Sequence, residues 1–137
     1  MSSNFIHTHR VAFAEADPAG IAHFARFPLW VEEAEFAFWQ SKNAASPSFE
    51  NGVLVGWPKI SFSIRHRAPA RFGDIVSIAL TPKVETPFTV EWKFRMTRAD
   101  TLLASGAMLV IYASVVPAQI TLQKQAVPEN LLALLTA

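Results

Sequence analysis

Asp17 lies in the tract Asp17-Pro18-Ala19-Gly20, two residues after Glu15 and just ahead of a run of aromatic residues. A carboxylate at a tight turn can serve as a general base or as a nucleophile, or it can simply close its own turn. Asp first, Pro second and Gly fourth make a type I turn, so local chemistry alone favours the last role. His7-x-His9 sets two imidazoles on one face of a strand. That spacing permits a metal, but no third ligand is near in sequence and no metal is expected. Glu33 and Glu35 read as solvated charges on a helix. The motifs that announce other chemistries are absent: there is no G-x-S-x-G, Gly-rich phosphate loop, H-E-x-x-H or EF-hand loop. With Cys 0 there is neither a thiol nucleophile nor a thiolate metal site. No cofactor is expected.

The elements that must position Asp17 follow from hydrophobic periodicity. Phe5–Phe13 mixes aromatic, β-branched and polar residues and reads as a strand. Phe24, Phe27, Val31, Ala34 and Phe38 recur every three or four residues, which predicts one face of a four-turn helix ending near Lys42-Asn43. Trp30 and Trp39 widen that stripe, Pro28 suits the first turn, and Glu32, Glu33 and Glu35 take the wet side. Ser46–Gly52 reads as a loop. From Ile60 onward the period drops to two, through Ile60–Ile64, Val76–Leu80, Phe88–Met96 and Leu103–Ile111, with turns near Gly73, Pro87 and Ala99-Asp100. A short helix is expected after Pro128. The order is strand, long helix, then antiparallel strands: an α+β domain over residues 1–137, with a curved sheet of about five strands around the helix.

Composition bounds the rest. Apolar residues make up 51% and charged residues only 17%, where about 25% is usual, so the chain has more apolar surface than it can hide alone. That surplus points to a homo-oligomer, an apolar pocket, or both. A net charge of +1 without a dense basic run argues against nucleic acid. No apolar stretch reaches the ~20 residues of a membrane helix, and Met1–Arg10 lacks the apolar core of a signal peptide. A cytoplasmic setting fits these features.

The tract Glu15-Ala16-Asp17-Pro18-Ala19-Gly20-Ile21-Ala22-His23-Phe24-Ala25-Arg26-Phe27, followed by Trp30 and Glu32-Glu33-Ala34, resembles the N-terminal signature of the hotdog-fold acyl-CoA thioesterases. It is most similar to the 4-hydroxybenzoyl-CoA thioesterase type, which works with an Asp. Gly56-Trp57-Pro58 before an alternating strand resembles the family's second strand, and the order of elements agrees over nearly the whole chain. The resemblance implies hydrolysis of an acyl- or aroyl-CoA, with Asp17 as nucleophile on the thioester carbonyl or as base for water. A thioester needs little machinery, because its carbonyl is weakly resonance-stabilised and thiolate leaves readily. The oxyanion donor implied is the backbone N–H of Phe24, where the helix dipole adds positive character. The resemblance also implies an assembly of several copies, a dimer of dimers, with the site between subunits.

This chain departs from the family pattern at several places. His23 stands where an aromatic residue is usual; it could protonate the leaving thiolate, line the substrate pocket, or merely cap the helix. Phe27 replaces a Tyr and loses its hydroxyl. The basic cluster that holds CoA phosphates is thin, since Lys83 is the only basic residue between Arg71 and Lys93. Arg65-His66-Arg67 with Arg71, or Lys93 with Arg95, could substitute, although alternation on strands also describes a solvated sheet face. Gly20, Trp30, Trp57, Arg65 and Arg67 are assigned to the substrate on the same resemblance. The rival readings are a hydratase or dehydratase on the same fold, using Asp17 with His23, and a CoA-ester-binding module without turnover.

Overall fold

A computed structural model describes residues 4–44 and 47–137. In chain order the elements are β1 (Phe5–Arg10), α1 (Phe27–Ser41), β2 (Ser48–Glu50), β3 (Val53–Gly56), β4 (Lys59–His66), β5 (Ile75–Thr86), β6 (Thr89–Arg98), β7 (Thr101–Ile111), β8 (Ala113–Val116), β9 (Thr121–Lys124) and α2 (Glu129–Thr136). Five strands form one antiparallel sheet in the order β1-β5-β6-β7-β4. This matches the expected arrangement of one long helix and about five strands. A second sheet, β2-β3-β8-β9, was not anticipated. Its strand β2 occupies the middle of the stretch expected to be loop; Ser46 lies outside the described residues.

α1 buries Phe27, Trp30, Val31, Ala34, Phe38 and Trp39. The inward positions of the sheet answer with Val76, Ile78 and Leu80 on β5, Val90, Trp92, Phe94 and Met96 on β6, and Met108 and Val110 on β7, all buried. Period-two alternation therefore translates directly into one dry face. The helix stops in a Schellman arrangement: Ala44 N–H donates to the Trp39 carbonyl (2.9 Å) and Asn43 N–H to that of Gln40 (3.0 Å), with Asn43 at φ 56°. Gly106 sits opposite Phe94 on β6 and Ile64 on β4. A Cβ there would meet the Ser63 carbonyl oxygen at 1.9 Å, so only glycine lets β7 run between its neighbours.

Three expectations need correction. β1 ends at Arg10, not Phe13, because Val11 turns inward to bond the Asp74 carbonyl (2.9 Å) and a 3-10 turn follows at Phe13–Glu15. Phe24 is not on the buried stripe: it belongs to a second 3-10 turn, Phe24–Arg26, and is 68% exposed. Glu35 is not on the wet side but is 5% exposed, because Lys59 lies across from it. Among the described residues no helix is long and apolar enough to cross a membrane.

Candidate active site

The turn carrying Asp17 is closed by its own chemistry. Asp17 Oδ1 accepts the N–H groups of Ala19 (2.9 Å) and Ile21 (3.0 Å), while Gly20 N–H donates to the Asp17 carbonyl (2.9 Å). Gly20 adopts φ 81°, which favours glycine there. The turn role and a chemical role are compatible, because they use different oxygens. Oδ1 is committed to the backbone, whereas Oδ2 makes no hydrogen bond among the described residues and the side chain is exposed.

His23 caps the 3-10 turn that leads into α1: its Nδ1 accepts the Ala25 N–H at 3.2 Å. An accepting Nδ1 leaves the ring proton on Nε2, so a neutral His23 can still donate. The ring stacks on Phe24 (5.0 Å between centroids, 23°). The Phe24 N–H, next in the chain, donates to no acceptor among the described residues, as expected for the first donors of a helical segment. Asp17, His23 and Glu15 line one cleft of about 430 Å³ together with Arg26 and Leu29. The Phe24 side chain faces a neighbouring cleft of about 360 Å³, shared with His66 and Arg67.

Glu15 is held from three sides. Trp30 Nε1 donates to Oε2 (2.7 Å), Ala12 N–H to Oε1 (2.9 Å), and His9 Nε2 lies 2.8 Å from Oε1. Partial burial alone would raise its pKa, but these donors together hold it below the usual carboxylate range. Trp30 is 1% exposed and spends its N–H on Glu15, so it offers no surface to a ligand in the isolated chain. The two imidazoles singled out in the sequence both meet Glu33: His7 Nε2 is 2.7 Å and His9 Nδ1 3.1 Å from Glu33 Oε2.

A third cavity, about 450 Å³, opens beside the C-terminal half of α1. Trp39 and Trp57 stack in parallel along it (5.4 Å, 8°), with Leu54, Phe36 and Val115 around them. Glu35 and Lys59 supply its charge. Lys59 Nζ is 2.5 Å from Glu35 Oε1 and donates to the Trp57 carbonyl (2.9 Å). Burial pushes the Glu35 carboxyl upward, against the pull of Lys59. Among the described residues, Glu35 Oε2 and the indole N–H groups of Trp39 and Trp92 are buried without a hydrogen bond of good geometry, although the Trp92 indole also works against the upward shift of Glu35. Sequence reading missed this pair, although Glu35 falls on the buried stripe, four residues after Val31 and three before Phe38.

The basic residues separate. Arg65 and Arg95 flank Ser105 across three strands of the outer sheet face, and Lys93 lies beside Arg95 along a groove of about 450 Å³. Arg67 instead borders the cleft of Phe24. Among the described residues no group of three or more His, Asp or Glu could hold a metal.

The chain is 30% identical over 106 residues to a 1,4-dihydroxy-2-naphthoyl-CoA hydrolase of Synechococcus sp. (strain WH7803), an alignment covering 68% of this chain and 67% of that protein. Its fold superposes on a 1,4-dihydroxy-2-naphthoyl-CoA thioesterase from Synechocystis with a TM-score of 0.81 at 22% identity, over 98% of this chain and 96% of the other. A thioesterase-superfamily protein from Jannaschia sp. CCS1 gives 0.80 at 21% identity, over 98% and 92%. No family model matches the chain.

Proposed function

The chain belongs to the hotdog-fold CoA thioesterases, and from that premise we propose that it cleaves an aryl- or acyl-CoA thioester to the free acid and CoA with Asp17 as nucleophile or general base. The observation that carries this reading is the division of labour within one carboxylate: Oδ1 fixed by two backbone N–H groups and Oδ2 free, in the same cleft as His23. In the general-base form, Oδ2 takes a proton from water as the oxygen adds to the carbonyl carbon. The resulting oxyanion is received by the Phe24 N–H at the helix start, and the C–S bond breaks. His23 Nε2–H supplies a proton to the departing sulfur and recovers one from Asp17 through solvent. In the nucleophilic form, Oδ2 adds first, the C–S bond breaks to expel CoA as the thiolate, and water then cleaves the resulting anhydride to release the acid and restore Asp17.

The acyl group belongs in the Trp39–Trp57 cavity, and two copies of the chain bring it to Asp17. β4 is an edge strand with Ile60 exposed and Phe62 and Ile64 half-buried. Antiparallel pairing of two such edges sets the His66 end of one β4 against the Lys59 end of the other. His66 packs on Phe27 at the start of α1 (4.7 Å). The helix start of one copy then faces the Trp57–Lys59 cavity of its partner. This gives a homodimeric unit, two of which form the dimer of dimers. Stacked indoles with a Glu–Lys pair suit a flat ring bearing hydroxyl groups, in keeping with the substrate named for the Synechococcus relative. Arg67 beside Phe24, and Arg65 on the outer face, are the groups for the CoA phosphates.

The test is a panel of acyl- and aroyl-CoAs assayed with a thiol reagent for wild type and Asp17→Asn. Losing the acting carboxylate should reduce kcat at least ~10²-fold. Equal turnover in the variant rejects Asp17, and no turnover of any ester by wild type favours a binding module.

A further inference from the structure

His9 has an environment that the hydrolytic chemistry does not use. Both of its ring nitrogens meet carboxylates: Nε2 lies 2.8 Å from Glu15 Oε1 and Nδ1 lies 3.1 Å from Glu33 Oε2. A carboxylate oxygen offers only lone pairs, so each contact is a hydrogen bond only if the nitrogen carries a proton. Both bonds together require the imidazolium. The ring is 15% exposed and lies against Trp30 (4.9 Å, 32°). The groups facing it are His7 from β1, Trp30 and Glu33 from α1, and Glu15 from the loop; its partner across the ladder on β5 is the buried, apolar Val76. Glu33 Oε2 is shared with His7 Nε2, so one chain of contacts runs His7–Glu33–His9–Glu15–Trp30.

Glu15 is the junction that gives this chain its importance. It precedes Asp17 by two residues, and its carbonyl accepts the His23 N–H (2.8 Å), one residue before the Phe24 donor. Its carboxylate ties the same loop to α1 through Trp30 and to β1 through His9. Trp30 and Glu33 are one turn apart on α1, so the His9 ring bridges the loop to the helix at a second point. We propose that His9, as an imidazolium held between Glu15 and Glu33, is a positioning residue that fixes the Asp17 loop against the start of α1. The inference rests on Asp17 and the Phe24 N–H being the reacting pair. His9 does not line the Asp17 cleft and touches no reacting atom. Losing either ring contact releases Glu15 or Glu33, loosening the spacing between carboxylate and oxyanion donor.

Three variants and one spectrum test this. His9→Gln is neutral and has one donor nitrogen in place of two, so its amide oxygen faces the other carboxylate; kcat should fall on the order of tenfold, with KM nearly unchanged, as for loss of one charge-assisted hydrogen bond. His9→Arg offers two donors on a planar cation that stays charged. It should restore most of kcat, as a neutral replacement cannot. In 15N-labelled wild type at the pH of maximal activity, both His9 ring nitrogens should show protonated shifts, a readout independent of any variant's folding. One unprotonated nitrogen, or an unchanged kcat in His9→Gln, overturns the proposal. Asp17→Asn separates the two levels. If it is inactive while His9→Gln is fully active, only the His9 role fails; if it is fully active, the reading of the site fails with it.

Discussion

Lys59→Met is the most informative perturbation of the cavity. The substitution keeps the length of the side chain and removes its charge, leaving the Glu35 carboxylate without its cationic partner and with only the Trp92 indole beside it. Breaking a buried ion pair from one side costs ~3–5 kcal/mol; with Lys59 30% exposed, a lower figure of ~2–3 kcal/mol is appropriate. For a domain of this size that corresponds to a drop in Tm of roughly 5–10 °C. The sign with pH is fixed by Glu35, whose folded-state pKa is already raised and rises further without Lys59. A raised carboxyl pKa means that the folded state binds protons more tightly than the unfolded state, so stability falls as pH rises from the unfolded value through the folded one. The deficit of Lys59→Met should therefore be largest at neutral pH and shrink toward pH ~5. Thermal melts followed by tryptophan fluorescence across that range measure it. Adding Glu35→Leu should recover most of the loss, because an apolar pair replaces a buried ionic one at little cost. A Tm equal to wild type, or a deficit independent of pH, would refute the view that Lys59 stabilises a buried carboxylate.

Further expectations concern packing, the Glu15 junction and the CoA tail. Gly106→Ala places a methyl against the Ser63 carbonyl and the Phe94 ring, and should cost ~1–3 kcal/mol in a melt while weakening the proposed β4-paired dimer in a sizing experiment. Trp30→Phe removes a donor to Glu15; a lowered carboxyl pKa gives stability that is present above the unfolded value and lost as pH falls through the folded one. The acid unfolding midpoint of Trp30→Phe should therefore move to higher pH, and an unchanged midpoint counts against the bond. If Arg65 and Arg67 hold CoA phosphates, KM should rise with salt, and Arg67→Ala should flatten that dependence; a KM indifferent to salt removes both from the site.

What could be read from residue types was local. Asp17-Pro18-Ala19-Gly20 encodes its turn within four residues, and the turn forms with the expected bonds. The buried stripe from Phe27 to Phe38 and the alternating strands follow from periods that only need counting. Phe24 misled because its spacing to Phe27 continues the helical period; spacing cannot tell a 3-10 turn outside the core from the helix proper. Glu35 misled for a different reason. A carboxylate among apolar neighbours looks solvated until its partner is known, and Lys59 lies 24 residues away on another element. The His9–Glu15–Glu33 chain is hidden in the same way, since it joins a strand, a loop and a helix. The second sheet escaped because its strands are only three or four residues long.

The central claim is that Asp17 of one copy acts on an acyl group held by the cavity of another, and mixing two defective variants tests it directly. Asp17→Asn keeps the cavity and lacks the carboxylate; Leu54→Trp keeps the carboxylate and fills the cavity. Each alone should be nearly inactive on a hydroxylated aroyl-CoA. After unfolding and refolding together, random dimers should regain about a quarter of the wild-type rate, the share of composite sites in which both halves are intact. A mixture no more active than its two components would contradict a site shared between subunits.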